Sequence, residues 1–187
     1  MHIETTTLSD VLLLTPSRFG DLRAFFSETY NRRVFTDRDI STEFVQDNRS
    51  LSAQAGTVRG LHFQAPPHAQ AKLVRCGRGS LFDVAVDIRV DSPTYGEWFG
   101  VELSFENGKQ LLIPTGFLHG FMTLEPDTEI IYKCSDYYAP ECDRAVRWDS
   151  CGIEWPLSGV APVLSEKDAK APLLEDLDSP FIWDGDT

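Results

Sequence analysis

The sequence is short of basic residues, of paired cysteines and of long apolar runs. Its 187 residues hold 17 Lys+Arg against 29 Asp+Glu, a formal charge of -12. General nucleic-acid binding needs clustered cations on the surface and is disfavoured. An anionic ligand remains compatible with this balance if a few cations converge in one pocket. The four cysteines, Cys76, Cys134, Cys142 and Cys151, form no CxxC pair. Their sparse spacing argues against a zinc ribbon or a disulfide framework and predicts reduced thiols in a cytoplasmic protein. No apolar stretch approaches the roughly 20 residues of a membrane helix; the early run Val11 to Leu14 is far shorter. Met1 to Asp10 carries no basic region of the kind that opens a signal peptide. No GxGxxG is present to cradle a dinucleotide.

What is present is strand. The length suits one domain over residues 1–187, with a core at about 40–155 and an N-terminal strand and helix and a C-terminal helical tail packed on it. Leu81 to Val90 alternates: Phe82, Val84, Val86 and Ile88 share one face, Asp83, Asp87 and Arg89 the other. Trp98 to Phe105 alternates too. Glu106-Asn107-Gly108-Lys109 then reads as a hairpin turn, with Gln110 to Ile113 returning. Glu129 to Ser135 is a further strand. Phe19 to Tyr30 and Ser165 to Leu174 read as helices, the second capped by Ser165. The acidic tail beyond Leu174 is irregular, with Phe181, Ile182 and Trp183 available to dock. Many short strands with few helices predict an all-β fold, with a jelly-roll barrel as the leading form.

Residues able to do chemistry cluster in four segments. In Arg59-Gly60-Leu61-His62-Phe63-Gln64, His62 stands on a strand before Pro66-Pro67. A hairpin closing through 65–70 would set His62 nearly opposite Lys72, joining a base to a fixed cation; a half-exposed His and a surface Lys are equally compatible with the segment alone. Pro114-Thr115-Gly116-Phe117-Leu118-His119 matches PxGxxH and resembles the second motif of the cupin superfamily. Metal-bearing cupins take two His as HxH from their first motif. Here it reads His62-Phe63-Gln64, and Gln is a weak ligand beside imidazole. No metal is therefore expected, and His119 is read as a hydrogen-bond donor to substrate. Tyr132 shares a strand face with Ile130 and Cys134 and points inward if that face is buried. Asp168, taken alone, is an acid in the first turn of a helix.

Together these segments resemble the dTDP-4-dehydrorhamnose 3,5-epimerase family. The resemblance rests on RGLHFQ at 59–64, AKLVR at 71–75, GSLFDVAVDIR at 79–89, IPTGFLHGF at 113–121, YKCSDYYAPE at 132–141, RWD at 147–149, LSEKDAKAPLL at 164–174 and FSETYN at 26–31. It implies a cupin-type jelly roll, a homodimer, no metal or other cofactor, and dTDP-4-keto-6-deoxyglucose as substrate. It implies His62 as base with Asp168 as its partner, Lys72 beside the enolate oxygen and Tyr132 as acid. It also implies substrate contacts from Arg23, Glu28, Gln46, Asn48, Arg59, His119 and Lys167, with Asp47 inside the same QDN segment. Asp143 stands where the family commonly has a Glu.

The chemistry agrees with these residue types. An imidazole titrates near working pH and suits a base. An ammonium offsets charge growing on a carbonyl oxygen where water is excluded. Arginines suit a diphosphate. Three other readings remain open on sequence: an epimerase of C3 alone, a nucleotide-sugar-binding cupin without catalysis, and a metal-dependent cupin.

Overall fold

The computed structural model describes residues 1–157, 159 and 161–185. The strands are β1 (His2–Thr5), β2 (Leu12–Thr15), β3 (Arg18–Asp21), β4 (Ala24–Ser27), β5 (Gln46–Ser52), β6 (Val58–Gln64), β7 (Lys72–Arg78), β8 (Ser80–Asp87), β9 (Trp98–Ser104), β10 (Gln110–Ile113), β11 (Phe117–Thr123), β12 (Thr128–Cys134) and β13 (Asp143–Ala145). Two short helices, α1 (Arg32–Thr36) and α2 (Glu166–Ala169), accompany them. A six-stranded sheet runs β1-β2-β10-β7-β12-β5, and a five-stranded sheet runs β13-β6-β11-β8-β9. The two face one another as a jelly roll of the cupin type. Among the described residues no helix is long and apolar enough to cross a membrane.

Three apolar layers fix this arrangement. Val74, Leu111 and Ile130 of the first sheet meet Leu81, Ala85, Leu103 and Phe121 of the second between the sheets. On the outer face of the second sheet, Leu61, Phe63, Val84, Val86 and Leu118 are covered by Trp155, Leu174, Leu177 and Phe181. On the outer face of the first, Leu14, Leu73 and Leu112 receive Phe35 and Ile40. Strands covered on both faces lose the polar side that alternation ordinarily marks. This explains why Asp83 and Asp87, on the less apolar face of β8, are both fully buried. The C-terminal tail docks through Phe181, whose ring centroid lies 5.9 Å from that of Phe63, while Ile182 faces outward.

Four sequence expectations about local structure are corrected. β6 and β7 do not form a hairpin: β6 pairs with β11 and β13, β7 with β10 and β12. Lys72 and His62 are therefore on opposite sheets. The Asn107-Gly108 turn forms, with Gly108 at φ +62° and the Asn107 side chain bonded to the Ser104 and Lys109 amides. It is a corner between sheets and not a hairpin, because β9 pairs with β8 and β10 with β2 and β7. The Phe19–Tyr30 segment is the β3–β4 ribbon. Its apolar residues have no core beneath them, so helical spacing there is never rewarded by burial. The helix read from Ser165 to Leu174 stops at Ala169, because Pro172 disfavours helical backbone in the residue before it.

Candidate active site

Alternation along the strands aims a small set of polar side chains into the space between the sheets. Tyr132 of β12 follows Ile130 on the inner face, and Lys72 of β7 precedes Val74 there. Register sets Cα of Lys72 opposite Cys134 and Val74 opposite Tyr132, so the phenol and the ammonium stem are diagonal neighbours. His62 and His119 enter from the facing sheet, on the paired positions of β6 and β11. That pair sits beside an unusually close strand approach. Gly60, at φ +131°, lies so near β11 that a Cβ on it would fall 2.6 Å from the Gly120 Cα.

A cavity of about 460 Å³ is lined by Arg59, His62, Lys72, His119, Tyr132 and Asp168, with Val58, Phe121 and Leu164 as its apolar wall. A second, of about 410 Å³, shares His62, Lys72, Tyr132 and Lys167 with it and adds Gln46, Asn48, Tyr138 and Asp143. The two therefore adjoin at His62, Lys72 and Tyr132.

A histidine–aspartate pair organises the electrostatics. His62 Nε2 lies 2.7 Å from Asp168 Oδ1. Burial pushes the Asp168 carboxyl up, but the His62 hydrogen bond and charge, with Ser165 and the Gly60 backbone, outweigh it and hold it below its ordinary value. An ionised carboxylate only accepts, so Nε2 is the donor in this pair, and Nδ1 is the ring nitrogen that carries the lone pair in the neutral imidazole. Ser165 caps α2 and accepts from the Asp168 amide, which fixes where that carboxylate stands. Burial, and to a lesser extent Cys134, push the Tyr132 phenol above its ordinary value, so it stays protonated. Burial pushes the Lys72 amine down, opposed by Cys134, Asp83 and Asp143.

Gln64, the residue in place of a second cupin histidine, is committed elsewhere. Its amide donates to the His68 and Tyr137 carbonyls and accepts from the Ala139 amide. Among the described residues no three His, Cys, Asp or Glu side chains gather as a metal site would.

Ten of the thirteen residues named from the sequence line these cavities. Arg23, Glu28 and Asp47 do not. Arg23 is on the ribbon, paired with Asp21. Glu28 follows the ribbon and accepts from the Asn31 side chain. Asp47 points away from its neighbours Gln46 and Asn48 and pairs with Lys133. Asp143 pairs with Lys167 at the cavity edge. The sequence reading missed Asp83, which lies behind His119 with Oδ1 2.8 Å from its Nε2. The available signal was an acid set between Leu81 and Ala85 on a face that builds core.

Residues 5–176 match the family model described as dTDP-4-dehydrorhamnose 3,5-epimerase. A dTDP-4-dehydrorhamnose 3,5-epimerase of Sinorhizobium fredii is 53% identical, over 98% of this chain and 94% of its own. One of Salmonella typhimurium is 51% identical, over 94% and 96%. The crystal structure of a dTDP-6-deoxy-D-glucose-3,5-epimerase from Legionella pneumophila in complex with dTDP-4-keto-L-rhamnose superposes with a TM-score of 0.90 at 44% identity, covering 95% of this chain and 94% of that one. A histidine–aspartate pair facing a phenol and an ammonium across a jelly roll, carried by a sequence matched along nearly its whole length, makes this chain a member of the dTDP-4-dehydrorhamnose 3,5-epimerase family.

Proposed function

We propose that the chain converts dTDP-4-dehydro-6-deoxy-D-glucose to dTDP-4-dehydro-L-rhamnose by removing and returning protons at C3 and C5. The observation that carries this reading is one shared cavity with His62 on one sheet and Tyr132 and Lys72 on the other. In each inversion the Nδ1 lone pair of His62 takes the proton from the carbon beside the ketone. The C–H electron pair becomes the C=C bond of an enolate, and the carbonyl π pair moves to oxygen beside the Lys72 ammonium. Tyr132 then gives its phenolic proton to the opposite face of the same carbon. The imidazolium, steadied by Asp168, and the phenolate exchange protons with water before the second carbon reacts. The ketone is present from the start, so no oxidation is needed.

Arg59 has the right chemistry for the diphosphate; its guanidinium now donates to Ser52 Oγ and the Leu51 carbonyl at the cavity wall. Gln46, Asn48, Lys167 and Asp143 complete the substrate contacts in the second cavity. A dTDP-sugar substrate supports a cytoplasmic location. We further propose that it works as a homodimer. The ribbon exposes Phe19 (65%), Leu22 (108%) and Phe26 (68%), an apolar surface that a second copy would cover. It also carries Arg23, with Glu28 just beyond it, and both would then reach the partner's site.

The test is proton NMR of the substrate reaction in heavy water, with a reductase to trap the product. Deuterium at both C3 and C5 is expected. Label at C3 alone would mark an epimerase of one carbon, and a bound but unlabelled sugar would mark a binding protein.

A further inference from the structure

Asp83 has no part in the steps above, yet it is fully buried in β8. Its strand neighbours on the same face, Leu81 and Ala85, belong to the apolar core. Oδ1 meets His119 Nε2 at 2.8 Å, and Oδ2 has no hydrogen-bond partner among the described residues. An unsatisfied buried carboxylate oxygen is costly, and a shape-matched apolar side chain would pack as well. The charge therefore serves the groups that face it.

Two such groups border the cavity. The Lys72 ammonium makes no hydrogen bond to any described residue. Around it stand Cys134 and Tyr132 of β12, Asp83 of β8, Asp143 of β13, His62 of β6 and His119 of β11. Burial keeps the Cys134 thiol protonated, and Asp143 is taken by Lys167. That leaves Asp83, with Oδ1 on His119 and Oδ2 unpaired among the described residues, as the remaining carboxylate of this group. His119 is the second group. Burial pushes its imidazolium below its ordinary value against the pull of Asp83, so the ring is neutral and has one N–H to give.

We infer that Asp83 is a positioning residue for the epimerisation. It draws the His119 proton to Nε2, leaving Nδ1 to accept from a sugar hydroxyl, and its carboxylate stands among the groups around Lys72 as a counter-charge to the ammonium behind the enolate. The donor role first read for His119 is thereby reversed. The charge half of this inference rests on the proposed role of Lys72.

Long-range nitrogen–proton NMR of the ¹⁵N-labelled protein should show His119 as the neutral Nε2–H tautomer at neutral pH. An Nδ1–H tautomer or an imidazolium would overturn the inference, and this measurement needs no variant. Asp83→Asn should lower kcat at least tenfold with KM within about twofold. The alkaline limb of its kcat profile should move to lower pH, because the Lys72 amine loses its counter-charge. A folded Asp83→Asn enzyme with unaltered kcat and alkaline limb would overturn it. Failure of the functional reading looks different: the unaltered protein itself would then exchange no deuterium at C3 or C5.

Discussion

His62 and Asp168 are expected to act as one unit in activity, with a pH signature in stability. His62→Ala should lower deuterium exchange at C3 and C5 by about 100- to 10,000-fold while the protein still folds; unchanged turnover would remove His62 from the reaction. Asp168 adds a pH signature. Its folded pKa is depressed below 3.8, so the pair's stabilisation is complete above that value and disappears as pH falls through the folded pKa. Denaturation of the Asp168→Asn protein should therefore show a deficit at neutral pH that vanishes in strong acid; a deficit that persists there would reject the linkage. Tyr132 belongs to the second half of each inversion. Tyr132→Phe should impair product formation more than proton removal at C3, and equal loss of both would indicate a binding role instead. Because burial raises the phenol and lowers the ammonium, the alkaline limb of kcat belongs to Lys72, below its ordinary 10.5.

The strands place these side chains, and Gly60 shows how narrow the tolerance is. A Cβ there would meet the β11 backbone, and its φ of +131° is one that L residues rarely adopt. Gly60→Ala is expected to cost roughly 1–3 kcal/mol in chemical denaturation and to lower kcat by displacing His62 two residues on. A variant as stable and active as the parent would show that β6 and β11 have slack. Element identity was legible where alternation was strong, as in β8, β9 and β12. Partnership was not. Period-two patterning says which residues share a face, but it does not say which sheet receives the strand. Hence 65–70 and 106–109 both read locally as hairpin turns although each carries the chain from one sheet to the other. His62 and Lys72 still meet, across the barrel and not along a ladder. The ribbon at 18–27 was misread because helical spacing without a surface to pack on carries little information. Asp83 escaped notice because sequence shows an acid and cannot show that both faces of its strand are covered.

At the scale of the molecule, the proposed second copy makes a quantitative demand. Phe19→Ser with Phe26→Ser removes the two most exposed phenylalanines of the ribbon without touching the cavity. Light scattering should show the parent as a dimer and the double variant shifted to monomer. KM should rise with that shift, if Arg23 and Glu28 serve the partner's substrate. A monomeric parent, or a dimeric variant with unaltered KM, would exclude the arrangement. A different whole-molecule consequence comes from Gln64, whose carboxamide ties β6 to residues 68, 137 and 139. The vertex that carries an imidazole in metal-bearing relatives of the fold here works as a brace for the loop at the mouth of the second cavity. Exchanging Gln64 for His would release that loop as it offered a ligand. The far ends of the brace are main-chain groups that no substitution replaces, so passage between the two chemistries would need the path of residues 68–139 at these contacts to change together with residue 64, a barrier to crossing by a single exchange.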